Sequence, residues 1–376
     1  MILRCDHILT EDGWIDGWID VVHGRFETVR RGEPTQTPDR DLRGYRLLPG
    51  LIDVHLHGYQ GWMNPTRPIT ADEVHGFLKA MALAGTTSLL PSTDPSHYPA
   101  LVQAAHHPTE GARFVGINLE AYFSCPTYSG FYGARGIFPQ PSVAELSQLI
   151  QRSEGLLKYV MIAPELEGAL EGMRYLKDRG IKVSAGHTIM KAKDFKPFLE
   201  SGLIDAFTHT SNNMGQIHQR DVGVTGLALL DPQTYCEVIT DFLHVEDDML
   251  RLIVKVKPHD KIVLVSDSTY LSGQPVGDYP VPGNVLTVTP NHQIIDREGN
   301  IHGDWFSLYR NTVELFKRGV VPAETAFTMA SLNPARLMDI EKDYGSIRSG
   351  KVADFLIADE QYQLIETQIG GHPIVA

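Results

Sequence analysis

The sequence predicts a (β/α)8 barrel of the TIM type, with a small β unit built from the two ends of the chain. Three observations predict it. From Leu48 to Ser266, strand-like apolar runs alternate with helix-like segments about eight times. Nearly every such run ends on His, Asp or Glu, as suits a barrel whose strand ends all converge on one face. Before Leu48 and after Gly345 the pattern turns β-prone. A doubly wound open sheet is the alternative, but there only the strands at the switch point gain from polar ends.

Taken in order, Met1 to Leu47 alternates short β-prone runs, Met1–Leu3, Trp18–Val22 and Phe26–Val29, with turns. Its tandem Gly-Trp-Ile-Asp, at 13–16 and 17–20, is too short for a structural repeat. Such a unit buries little by itself and needs a partner. Leu48 to His57 then runs apolar as one strand and stops on His55 and His57, which strand alternation puts on one face. Ala71–Leu83 has apolar residues at helical spacing, with Gly85 as a stop. Further strands are expected at Thr86–Leu90, Phe114–Leu119, Tyr159–Ala163, Val183–Gly186, Ile204–Thr208, Cys236–Thr240 and Ile262–Ser266. Helices such as Leu166–Asp178 and Val245–Val256 fall between them. Gly273–Asn300 is rich in Gly and Pro and reads as a hairpin-like insertion, with strands at Val285–Thr289 and Gln293–Asp296. Arg310–Lys317 and Ala323–Met338 read as helices, and Val352–Ile357 as a strand returning to the β unit. The expected division is residues 1–47 with 345–376 as the small β domain, and 48–344 as the barrel.

Bulk composition narrows the function classes. The chain has 376 residues, 42% hydrophobic and 21% charged, ordinary for a globular protein with a large core. A net charge of -13 argues against non-specific binding to nucleic acid or anionic membranes, and leaves room for an anionic small substrate in a locally positive pocket. Three scattered cysteines make no disulfide framework and point to a reducing compartment. No signal-like apolar stretch opens the sequence, and no run is long enough to span a membrane, so a cytoplasmic protein is expected.

The strand ends carry His55, His57, Glu120, His187, His209 and Asp267. Each has an ordinary structural explanation: a histidine bonded to backbone, Glu120 paired with an arginine, Asp267 as a helix N-cap. Those explanations do not cover the six together at successive strand ends. Four imidazoles and two carboxylates suit one or two divalent transition metals, zinc or iron. A cation lowers the pKa of its water towards neutrality, and a neighbouring carboxylate can take that proton and deliver it to a leaving group. Gly-x-Ser-x-Gly, a phosphate loop and Gly-x-Gly-x-x-Gly do not occur in the sequence, which removes serine-nucleophile and nucleotide-binding readings.

These residues stand in longer motifs: Pro49-Gly-Leu-Ile-Asp-Val-His-Leu-His57, Asn118-Leu-Glu-Ala121, Ala163-Pro-Glu165, Ala185-Gly-His-Thr188, Thr208-His-Thr-Ser-Asn-Asn-Met214, His218-Gln-Arg220, Asp241-Phe-Leu-His-Val245 and Val265-Ser-Asp267. Ser331-Leu-Asn-Pro-Ala335 and the stretch from Gly345 to Asp354 continue the series to the C-terminal end. Together they resemble the amidohydrolase superfamily, and within it the N-acetylglucosamine-6-phosphate deacetylases. The resemblance implies a (β/α)8 barrel with a β-sandwich from both termini. It implies that Glu120, His187 and His209 hold the main metal. His55 and His57 could hold a second, with Glu120 and Asp267 nearby, but some family members lack the His-x-His pair and use one metal, so both counts stay open. Asp267 then looks like the general base and acid. Asn212, the backbone at Asn213, Arg220 and His244 match positions that bind the sugar phosphate, with His218 as a further donor. In the family the arginine reaches the neighbouring subunit's site, which implies a homodimer.

The departures all fall in substrate-side loops. The family's His-Leu-Glu-Gly-Pro-Phe is Asn118-Leu-Glu-Ala-Tyr-Phe123 here, and its lysine- and glycine-rich segment is Tyr128 to Arg135. Its Asn-Ala-Met is Asn212-Asn-Met214, its Asp-Gly-x-His is Asp241-Phe-Leu-His244, and its Ala-Gly-Ser is His302-Gly-Asp304. The chain therefore reads first as a metal-dependent deacetylase of a 6-phosphorylated N-acetyl amino sugar. A deaminase or cyclic amidohydrolase on the same barrel is the alternative, and a non-catalytic scaffold the third reading.

Overall fold

The computed structural model describes residues 1–128 and 136–375. Among these, eight strands form a barrel wall: Leu51–Leu56, Thr86–Pro91, Ile117–Phe123, Leu157–Ile162, Lys182–Ala185, Ala206–Phe207, Tyr235–Ile239 and Ile262–Val265. Neighbours pair in parallel from the third strand to the eighth, and the first pairs in parallel with the second. The second and third strands meet through a parallel bridge between Ser92 and Asn118. The eighth meets the first where the Asp267 N–H donates to the His55 carbonyl at 2.9 Å and the His57 N–H to the Ser268 carbonyl at 2.6 Å. The wall thus closes through the very residues at the strand ends, and those ends share one mouth.

The runs expected from the sequence appear, with shifts that have physical causes. The strand expected from Leu48 to His57 is two elements. Arg46–Pro49 pairs with Phe355–Ala358 in the terminal sheet, and the barrel strand begins only at Leu51. The switch falls at Gly50, whose N–H bonds to the Asp354 carbonyl; a Cβ there would lie 2.4 Å from Thr87 Oγ1, so the crossing needs glycine. The Phe114–Leu119 strand likewise breaks at Gly116: Phe114 pairs with Leu89, then Ile117 starts pairing with Leu157. A Cβ on Gly116 would sit 2.3 Å from Lys158 Cγ. Ala323–Met338 divides into Ala323–Ala330 and Leu332–Leu337, because Pro334 has no N–H to offer the Ala330 carbonyl. The insertion holds three strands rather than two, Gly277–Val281, Asn284–Val288 and Ile294–Ile295.

Strands from the two termini form one eight-stranded sheet, with Ile2–Thr10, Gly13–Val22 and Arg25–Arg31 on one side and Phe355–Ala358, Leu364–Ile369 and His372–Pro373 on the other. It folds back on itself: Phe26 and Phe355, far apart in strand order, have ring centroids 5.9 Å apart. Leu3, Ile8, Ile19, Leu47 and Ile357 complete this separate core. No described helix is long and apolar enough to cross a membrane.

Candidate metal centre

Five of the six predicted ligands reach the mouth by two local devices. His55 and Glu120 lie inside the first and third strands, while His187, His209 and Asp267 each stand two residues beyond theirs. Those three adopt left-handed backbone, with φ of 46°, 27° and 50°. Such conformations cost on the order of 1–3 kcal/mol each in a non-glycine residue and persist only where the surroundings hold them. Here the Cys125 N–H holds the His187 carbonyl at 3.0 Å, and Asp304 donates its N–H to the Asp267 carbonyl at 3.1 Å. The sixth, His57, follows the first strand by one residue, and its ring centroid is 5.4 Å from that of His55.

Glu120 is the hinge of the arrangement. Its Oε1 lies 2.7 Å from His187 Nε2 and 3.4 Å from His209 Nε2, while Oε2 lies 3.5 Å from His57 Nε2 and 3.9 Å from His55 Nε2. One carboxylate thus joins two ligand groups, Glu120 with His187 and His209, and Glu120 with His55 and His57. Asp267 faces the second group, with Oδ1 3.2 Å from His57 Nε2 and 3.5 Å from His55 Nε2. All six lie in one constellation, as the sequence predicts.

Two observations fit this constellation to a cation. His55 Nε2 is buried and has no hydrogen-bond partner among the described residues, although it points at two carboxylates. His187 Nε2 and His209 Nε2 lie 3.0 Å apart, both turned to the same carboxylate oxygen. Nitrogen and oxygen donors of this kind suit zinc or iron. The same closeness controls ionisation. Burial presses the His55 imidazole down, but Asp267 and Glu237, with Glu120 behind them, overcome it and raise its pKa to about 10. Burial pushes the Glu120 and Asp267 carboxyls up, and the surrounding imidazoles reverse this and hold both below the usual carboxylate range.

The sequence did not single out Glu237. It lies inside the seventh strand, fully buried, and accepts from His55 Nδ1 at 2.9 Å, from the Tyr159 hydroxyl at 2.6 Å and from the His209 N–H at 3.2 Å. A signal existed: Cys236 and Val238 face the core between strands and helices, so alternation turns Glu237 into the barrel.

The predicted substrate residues occupy the rim. Asn212 donates to the His209 carbonyl through its backbone at 2.9 Å and through Nδ2 at 3.3 Å. Asn213 offers its carbonyl to the Thr188 N–H at 3.1 Å, tying two rim loops together. His244 Nδ1 bonds Asp241 Oδ2 at 2.7 Å. Burial works against its charge, but Asp241 outweighs it, Asp267 and Asp304 add to this, and the pKa is raised to about 9. His218 and Arg220 are exposed. Asp221, the carboxylate beside Arg220, is instead taken by the Ala192 and Gly223 N–H groups. Of the departures, residues 129–135 lie outside the described residues. Phe242 holds a left-handed φ of 62° and turns its ring to Arg318, 4.1 Å from the guanidinium carbon. Asp304 is buried, and burial together with Asp241 holds its carboxyl well above the usual range.

Comparison with known proteins agrees with this fold. Residues 255–373 match the model described as Amidohydrolase family. The chain is 30% identical to an N-acetylgalactosamine-6-phosphate deacetylase of Escherichia coli O157:H7, over 98% of each chain. It is 30% identical to an N-acetylglucosamine-6-phosphate deacetylase of Vibrio furnissii, over 86% of this chain and 82% of that one. The crystal structure of N-acetyl-D-glucosamine-6-phosphate deacetylase from Mycobacterium smegmatis superposes with a TM-score of 0.90 at 24% identity, covering 100% of both chains. A mutant of that enzyme, in complex with N-acetyl-D-glucosamine-6-phosphate, gives the same score.

Proposed function

This chain belongs to the N-acetyl amino sugar 6-phosphate deacetylases of the amidohydrolase family, and we propose that it cleaves the N-acetyl group from an N-acetylhexosamine 6-phosphate with divalent metal held at the strand ends. The observation that carries this reading is the shared carboxylate, Glu120, between two imidazole pairs with Asp267 facing one of them. A cation held there supplies an electrophile for the amide carbonyl and a water acidic enough to attack it near neutral pH. Glu120, His187 and His209 would hold the main ion, and His55 and His57 a second.

Asp267 supplies the proton traffic. As a buried carboxylate with a depressed pKa it is ionised, so it can accept the proton of the attacking water. Passing that proton to the departing nitrogen turns a poor leaving group into a neutral amine and regenerates the carboxylate. His244, raised to about 9 by Asp241, presents a charged ring to the sugar. Arg220, exposed and not spent on Asp221, is suited to bidentate contact with phosphate oxygens. We read the phosphate site as completed across a homodimer, with Arg220 reaching the neighbouring mouth. Three buried free cysteines support a reducing, cytoplasmic setting.

The test is acetate release by metal-loaded protein from the glucosamine and galactosamine epimers of N-acetylhexosamine 6-phosphate, beside the unphosphorylated sugars. Turnover of at least one phosphosugar, well above its free sugar, is expected. Acetate from neither phosphosugar, with turnover of a cyclic amide or an amino-heteroaromatic, moves the chain to the alternative activity.

A further inference from the structure

Glu237 lies beneath the site and touches neither the mouth nor solvent, being 0% exposed. We propose that Glu237 is the positioning residue of the His55–His57 cation site, and that its loss costs the chain this site while the His187–His209 site remains. The inference rests on the reading that both imidazole pairs hold cations.

A buried carboxylate without an arginine or lysine partner is costly unless several donors converge on it. Its contacts among the described residues are Tyr159, His55 and the His209 backbone, drawn from the fourth, first and sixth strands. Two are neutral donors that merely make the carboxylate tolerable. The third decides a tautomer. With Nδ1–H kept by Glu237, a cation that displaces the Nε2 proton meets that nitrogen, which has no hydrogen-bond partner among the described residues and is aimed at Glu120 and Asp267. A carboxylate behind an imidazole also makes that nitrogen a stronger ligand.

The other ligands lack this arrangement. His187 Nδ1 is bonded to the Tyr128 carbonyl, a neutral acceptor, at 2.5 Å. His209 Nδ1 is buried with no hydrogen-bond partner among the described residues. Among the described residues, His55 is the one of these three rings fixed by charge, and it is also the fully buried member of its pair, with His57 partly exposed. The two sites share Glu120, and Glu237 also accepts from the His209 N–H, but they differ in what stands behind the rings: a neutral backbone carbonyl behind His187 in one, the Glu237 carboxylate behind His55 in the other.

The experiment strips metal from the wild type, Glu237→Ala, Glu237→Gln, His55→Ala and the His55→Ala/Glu237→Ala double variant, then titrates each with Co²⁺. Bound metal is read by elemental analysis and calorimetry, and ligand geometry by the visible Co²⁺ spectrum. Two classes of site are expected in the wild type and one in His55→Ala. Glu237→Ala should weaken only the class that His55→Ala removes, by about 100-fold, and the double variant should match His55→Ala. Glu237→Gln keeps the shape and an acceptor oxygen for His55 while removing charge, so about 10-fold is expected, a partial rescue. If Glu237→Ala does not fold, Glu237→Gln carries the test alone. Wild-type affinity at both sites in Glu237→Gln overturns the proposal, as does equal weakening of both classes, which marks a general prop. A wild type whose cation stoichiometry is untouched by His55→Ala overturns the two-cation reading instead, and the inference with it.

Discussion

The floor and the rim of the mouth are built on opposite terms. On the floor, Glu120, His187, His209, His55 and Asp267 are buried or nearly so, and each is held by strand pairing or by a neighbour's backbone. On the rim, Arg220, His218 and Asn213 are exposed, and the loop that carries them is pinned through turns and the Asp221 carboxylate. The floor cannot change one residue without leaving a buried charge unmatched, which costs several kcal/mol. The rim can exchange side chains at little cost in stability. On the proposed reading the strands fix the chemistry and the loops choose the substrate. The departures from the family pattern follow this division in part: Asn213 and Phe242 lie in the loops, whereas Asn118 lies in the buried third strand and Asp304 is buried, and none falls on the six residues gathered at the mouth.

The sharpest way to break this comparison is on the floor. Asp267→Asn keeps size and removes the proton acceptor, so turnover should fall by roughly 10²–10⁴-fold. Elemental analysis should find bound metal largely retained, since His55, His57, Glu120, His187 and His209 remain. Full activity in Asp267→Asn removes this residue from the mechanism. Loss of metal in step with activity makes it a ligand first.

The second effect is smaller and belongs to the rim. Arg220→Ala should raise KM for a phosphosugar by about 10- to 100-fold, matching the loss of one charged hydrogen bond of roughly 1.5–3 kcal/mol. An unphosphorylated sugar should scarcely notice. Co-expressing Arg220→Ala with Asp267→Asn sharpens the point: if the arginine acts across a dimer, mixed dimers contain one complete site and recover low-KM turnover. Equal penalties on both sugars reassign the phosphate pocket, and no recovery places Arg220 in its own subunit's site.

What the sequence made legible follows the same division. Strand ends were readable because polar residues interrupt apolar runs there, and the six predicted residues come together as those interruptions indicate. Strand starts were not, because Leu48 and Leu51 look alike as apolar residues while belonging to different sheets. The information lay in Gly50, a close approach to Thr87 that apolar patterning does not register. Pro334 was a readable break in the last long helix, and its missing N–H outweighs helical spacing on either side. Glu237 was hidden differently. It sits in the middle of a buried strand, Tyr235–Ile239, while Asp241 just beyond the strand end draws the same chemical expectation, and its contacts across the barrel distinguish the two.

The smallest expected effect lies where floor and rim meet, at His244. Its side chain is nearly buried and bonded to Asp241, and Asp267 and Asp304 also favour its charge, while no basic side chain is among the causes that set its pKa. A histidine raised to about 9 in the folded protein binds its proton more tightly than in the unfolded chain, where about 6.5 is usual. Its favourable contribution is therefore complete below the unfolded value and is lost as pH rises through the folded one. At neutral pH the ring is then an imidazolium whose Nδ1 stays with Asp241, and on the proposed reading its Nε2 donates to the sugar. Above about 9 it becomes neutral, and a hydrogen bond loses its charge assistance. KM for the phosphosugar should then rise by roughly 5- to 10-fold across that titration, with kcat moving less. His244→Gln retains a neutral donor and has no proton to lose, so its KM should be raised already at pH 7 and stay flat to pH 10. A wild-type KM that is equally flat would mean that the Asp241–His244 pair only braces the rim loop, and that the sugar is met by neutral groups alone.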